Sequence, residues 1–186
     1  MSTTTPDKQE KLKAHFLVLR SQVGDNEAFA QLYSMFRQRT FRLLTGLLKS
    51  DLAKDLNQEV WLTVYKRIVF LEDPGRFRTW LFQITRNIAI DYFRSSKRQA
   101  ELYEILSNDI PQNTTGQDEF EMPSANCLNE VLENLSSRLR EVVVLNFFEG
   151  MDYEEMALIL GVSLGTVKSR LFNAKMKIKE LINLKN

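Results

Sequence analysis

The chain has 186 residues, 44% of them apolar, with one cysteine, one histidine and a formal net charge of +1. That length suits one domain or two small ones. Cys127 and His15 alone exclude a disulfide framework, a zinc centre and a histidine-based triad. No apolar run approaches the roughly eighteen residues that span a bilayer, and the polar start MSTTTPDKQEK lacks a signal-peptide core, so membrane insertion is not expected and the expected location is the cytoplasm.

Gly and Pro punctuate segments with helical spacing, which predicts an all-α fold. Residues 1–22 form an N-terminal extension in which Leu12, Phe16 and Leu19 are expected to add a helical turn packed on the N-terminal helical bundle. GDNE opens a helix carrying Phe29, Leu32, Tyr33 and Phe36, and Phe41, Leu44 and Leu48 are assigned to a second one. A third helix runs from Asp51 to Phe70, its core side made of Ala53, Leu56, Val60, Trp61, Val64 and Ile68. Its other side shows Asp55, Gln58, Glu59, Leu62 and Tyr65, a mixture that fits either a protein interface or a core face broad enough to take in Leu62 and Tyr65.

After the turn EDPG a fourth helix is expected from Arg76 to Lys97, burying Phe77, Leu81, Ile84 and Ile88. Asn87, Asp91, Arg94 and Arg98 share one line, where Asp91 and Arg94 can also simply pair, for a few tenths of a kcal/mol. Phe77, Arg78 and Trp80 form a basic and aromatic cluster of the kind that binds single-stranded nucleic acid. A core role for the two rings fits the spacing equally well.

Residues 107–126, with Pro111, Gly116 and Pro123, have no period and read as a linker. The resulting domains are 23–98 and 128–186, joined by residues 99–127. Charge follows this division. Pro74 to Gln99 holds six cations against Asp91, Ser163 to Lys179 holds five and no carboxylate, and Ala100 to Leu135 holds eight acids and no lysine or arginine. Two basic modules flanking an acidic connector suggest two separate contacts with a polyanion.

The C-terminal domain carries a helix-turn-helix pattern, with EGM at 149–151 as the break before it. Ala157 is small where two helices cross, Gly161 suits a positive φ in the turn, Ser163 is an N-cap and Val167 fills the angle between the helices. On the second helix Val167, Leu171, Ala174 and Ile178 fall in one arc, the expected core side. Gly165, Thr166, Ser169, Phe172, Asn173 and Met176 fall opposite, flanked by Lys168 and Arg170, with Lys175 near by. Hydroxyls and an amide that read base edges, a ring for a thymine methyl and cations for phosphates fit the major groove. The competing account packs Phe172 on a neighbouring domain and leaves the lysines at a solvated helix end.

GDNEAFAQLY, DLNQEVWLTVYKR, FRTWLFQITRNIAIDYFR and SLGTVKSRLFNAKMKIKEL, in that order, resemble bacterial RNA polymerase sigma factors of the extracytoplasmic-function (ECF) group, from about residue 23 onward. The resemblance implies a sigma-2 and a sigma-4 domain on a flexible linker, no enzymatic activity of its own, no cofactor, and a role in directing core polymerase to promoters. It implies that Asp55, Gln58, Glu59, Leu62 and Tyr65 meet the β′ clamp helices, with further contact to the β subunit. Phe77, Arg78, Trp80, Asn87, Arg94 and Arg98 would bind and help melt the minus-ten element. Thr166, Lys168, Ser169, Arg170, Phe172, Asn173 and Lys175 would read the minus-thirty-five element, and an anti-sigma factor would sequester these faces. Two positions depart from the family pattern: Ser136 stands where proline is common, and Asn173 where arginine is frequent.

Two other classes fit less well. A stand-alone repressor usually dimerises on two similar half-sites, whereas this chain has two dissimilar basic modules. A metal-dependent nuclease would need more than Asp51, Asp55 and Glu59, which lack a second set of carboxylates in any recognisable motif.

Overall fold

The structure, a computed structural model, describes residues 8–48, 50–95, 132 and 134–183. Every regular element among the described residues is helical. Helix α1 spans Lys8–Gln22 and α2 spans Asn26–Leu47, separated by a turn in which Gly24 takes φ 90°. Asp25 caps α2, its Oδ1 accepting from the backbone N–H of Glu27 and of Ala28 at 3.0 Å each. Those bonds and the Arg20 guanidinium, at 2.5 Å, hold the Asp25 carboxyl below its ordinary value.

The two helices expected over residues 26–48 are one. No Gly or Pro interrupts the apolar line near Thr40, and this threonine bonds back to the carbonyls of Phe36 and Arg37 while receiving the Trp61 indole N–H at 3.2 Å. Helix α3, Ser50–Arg67, buries Ala53, Leu56, Val60, Trp61 and Val64 of the expected core side, and Ile68 is buried just beyond its end. It stops short of Phe70 because Ile68–Phe70 tighten into a 3₁₀ turn. A second such turn, Pro74–Arg76, has Asp73 accepting from Gly75 N–H at 2.9 Å and leads into α4, Phe77–Ser95. Phe77 meets Phe36 edge to face at 5.6 Å, tying the start of α4 to the middle of α2.

The C-terminal unit comprises α5, Ser137–Val143, which runs on into a π-helical turn at Val144–Phe148, then α6, Tyr153–Leu160, and α7, Leu164–Asn183. Asp152 and Glu155 form a reciprocal capping box at the start of α6. The α6–α7 turn matches the expectation closely. Gly161 has φ 65° and ψ 36°, Ala157 C=O accepts from the N–H of Gly161 and of Val162, and Ser163 Oγ accepts from Thr166 N–H at 3.2 Å. Val167, Leu171, Ala174 and Ile178 are all buried.

Helices α2 and α4 pack against α5, the π turn and α6, so that buried residues of both units form one cluster. The expected linker over 99–127 lies outside the described residues.

Candidate nucleic-acid interface

On α3 the outer residues Asp55, Gln58, Glu59, Leu62 and Tyr65 are all exposed, which disposes of the broad-core account. Tyr65 keeps its place by an edge contact with Phe29 at 5.0 Å. Leu62 and Tyr65 remain in solvent among carboxylates and an amide, a composition suited to a protein partner.

At the start of α4 the expected cluster divides. Phe77 is a core residue, enclosed by Phe36 and by Trp80 at 6.0 Å, so in this arrangement it does not stack on a base. Trp80 is half-buried. Arg78 is buried as well, contrary to the expectation of a solvent-facing cation, and none of its three guanidinium nitrogens has a hydrogen-bond partner. Burial disfavours its charged form, and Arg39 adds to that effect against the opposing pull of Glu155, Glu149 and Glu10. Further along, Asn87 is exposed, and Arg94 is exposed with Asp91 at 3.6 Å. Arg98 lies outside the described residues.

On α7, Lys168 and Asn173 face solvent, while Thr166, Phe172 and Lys175 are half-buried. Thr166 Oγ1 lies 3.0 Å from Ser163 Oγ, and the Lys175 ammonium sits 5.9 Å from the Phe147 ring centroid. The outward arc is narrower than the helical projection predicts, because Ser169 and Arg170 are buried. Ser169 donates back to Thr166 C=O at 3.1 Å, and Arg170 lies close enough to Glu141 on α5 to favour that carboxylate electrostatically.

Sequence reasoning missed the contacts between the two units. Arg86 Nε donates to Glu141 Oε1 at 2.6 Å, both side chains being largely buried. Arg39 Nε donates to Glu149 at 2.5 Å, Arg42 reaches the same carboxylate at 3.1 Å, and Gln83 donates to Leu158 C=O at 3.0 Å. Desolvation raises the Glu141 pKa, opposed by Arg86 and Arg170. One signal was available. Glu141 and Glu149 bracket EVVVLNFFE, where a carboxylate at each end of an apolar run calls for a cation from elsewhere.

Residues 32–99 match the sigma-70 region 2 family and residues 125–178 the sigma-70 region 4 family. The chain is 31% identical over 183 residues to the ECF RNA polymerase sigma-E factor of Haemophilus influenzae, covering 93% of this chain and 97% of that one. To the ECF RNA polymerase sigma factor SigM of Bacillus subtilis it is 29% identical over 154 residues, covering 82% and 94%. Among solved structures, the sigma factor RpoE in complex with the anti-sigma factor NepR, from Bartonella quintana, aligns with a TM-score of 0.64 at 26% identity, over 85% of this chain and 98% of that chain.

Proposed function

We infer the role of this chain from the family to which it belongs, the ECF group of sigma-70 RNA polymerase sigma factors. It is an alternative sigma factor that binds core RNA polymerase, directs it to specific promoters and helps melt the minus-ten element. The observation that carries this reading is the presence of both regions in one chain, in family order, with relatedness running through 183 residues. The chemistry of RNA synthesis belongs to polymerase, and the chain works in the bacterial cytoplasm.

The exposed face of α3, from Asp55 through Gln58, Glu59 and Leu62 to Tyr65, takes the polymerase clamp, and its position on a rigid helix fixes its geometry. The minus-ten contact falls to Trp80, Asn87 and Arg94, with Arg78 joining once α4 comes away from the C-terminal unit. Lys168, Asn173, Phe172 and Lys175 meet the minus-thirty-five element, while Ser169 and Arg170 need a local rearrangement of α7 first. Melting results from differential binding. Extruding a base costs a few kcal/mol, offset where protein stacks it and bonds its edge. An anti-sigma factor, such as the partner of RpoE in its solved complex, is the inhibitory partner.

Run-off transcription with core polymerase on genomic fragments tests this reading, with new discrete start sites expected only when the chain is added. No new start site on any fragment, with an active polymerase, would overturn it. Asp55→Ala with Gln58→Ala should reduce binding to core polymerase and transcription together while leaving helicity unchanged.

A further inference from the structure

We propose that the polymerase-docking surface continues beyond α3, through the 3₁₀ turn at Ile68–Phe70, onto the outer face of α1, which thereby makes a second polymerase contact; this rests on α3 being the clamp-binding face. Helix α1 is apolar on two opposite faces. Ala14, Leu17 and Val18 are seated on the bundle, whereas Leu12, Phe16 and Leu19, with Val23 just past the helix end, lie in one line at 70%, 63%, 43% and 85% exposure. The expected packing of Leu12, Phe16 and Leu19 on the bundle is therefore reversed. An exposed apolar line opposite a seated one is a face to be covered.

The covering partner is identified by continuity and by charge. Gln22 Nε2 donates to the carbonyls of Ile68 at 3.0 Å and Leu71 at 2.7 Å, fixing the end of α1 against the turn. That turn presents Val69 and Phe70 at 50% and 79% exposure, directly after the α3 line that carries Leu62 and Tyr65. The two ends of this apolar band differ in charge. Asp55 and Glu59 border its far end on α3, Lys66 and Arg67 stand exposed where α3 enters the turn, and Lys8, Lys11 and Lys13 border it on α1, these three lysines with no ion pair among the described residues. The one acid of α1, Glu10, is drawn inward by Arg39. An anionic lipid surface would suit the lysines of α1 but be repelled by Asp55 and Glu59 at the other end of the band. A protein surface bearing apolar groups with cations on one side and carboxylates on the other suits both.

The test measures affinity of the full chain for core polymerase, together with far-UV circular dichroism. Phe16→Glu with Leu19→Glu should weaken binding at least about tenfold, as loss of two apolar anchors at an interface does. Helicity should not change, since both side chains face solvent; should the acidic pair misfold, Phe16→Ala with Leu19→Ala supplies the reading instead. Leu62→Glu is the control for α3. Unchanged affinity in the α1 variant beside loss in Leu62→Glu overturns this proposal and leaves the α3 reading standing. Loss in the α1 variant with Leu62→Glu unchanged overturns the continuous surface and the α3 reading alike. Self-association of the free chain that disappears in the α1 variant, or flotation of the wild type with anionic vesicles, would assign the face to another occupant and overturn the proposal.

Discussion

Glu149→Ala should open the junction between the two helical units. The Glu149 side chain is fully buried and takes Arg39 at 2.5 Å and Arg42 at 3.1 Å, both from α2. Removing one member of a buried pair strands the other in a poorly solvating site and costs about 3–5 kcal/mol. Arg42 is partly exposed and can turn to water, and Arg39 keeps Glu10 as a partner, so the lower end applies. About 3 kcal/mol corresponds to a shift of roughly 150-fold in the closed-to-open ratio. An open form populated at about 1% in the wild type would then rise to about 60%. Single-molecule energy transfer reads these populations, with dyes on cysteines introduced at the exposed Lys54 and Lys179 in a Cys127→Ser background. Arg39→Ala, which removes the pair from the other side, should shift the population the same way. Closed populations unchanged in both variants, with helicity intact, would refute the reasoning that these ions hold the units together.

Ser136 already has φ −60°, which proline adopts without strain, and its side chain makes no cap bond, so Ser136→Pro should stabilise by about 0.4–1 kcal/mol. That is about 1–4 °C in thermal midpoint for a chain of this size, and a lower midpoint would contradict it. At Gly161 an added Cβ meets nothing within 4 Å, so Gly161→Ala isolates the strain of a left-handed backbone and should cost about 1–2 kcal/mol in chemical denaturation. For Glu141 the native pKa lies above the ordinary 4.5, so the folded chain holds this proton more tightly than the unfolded one. The associated stability is present in full below about 4.5 and is lost as pH rises through the native value. Glu141→Gln is neutral throughout, so urea melts across that window should show it gaining on the wild type as pH rises; parallel curves would contradict the assignment.

Much of the architecture was legible because it is local. The core line of α3 and the arc Val167, Leu171, Ala174 and Ile178 follow from helical spacing, and Gly161 and Ser163 occupy positions whose backbone demands are specific. The seated face of α1 is not legible in the same way, because Leu12, Phe16 and Leu19 keep the same period as Ala14, Leu17 and Val18, and period alone does not say which face packs. The junction was hidden for another reason. Arg39 and Arg42 find Glu149 more than a hundred residues away, and Arg86 finds Glu141 at a separation of 55, so no local pattern records the pairing. Burial of Arg78 and Arg170 is hidden in the same way, since a cation reads as solvent-facing in a local pattern.

Arg78 has a consequence for how readily the two units part. A guanidinium with five donors and no acceptor is a penalty that the resting arrangement bears and the separated one does not, because water reaches the group as soon as α4 moves off its neighbours. Part of the work of unlatching is thus returned as hydration of a single side chain. The group released in this way is a cation with no hydrogen bond to give up, held only by the field of Glu155, Glu149 and Glu10.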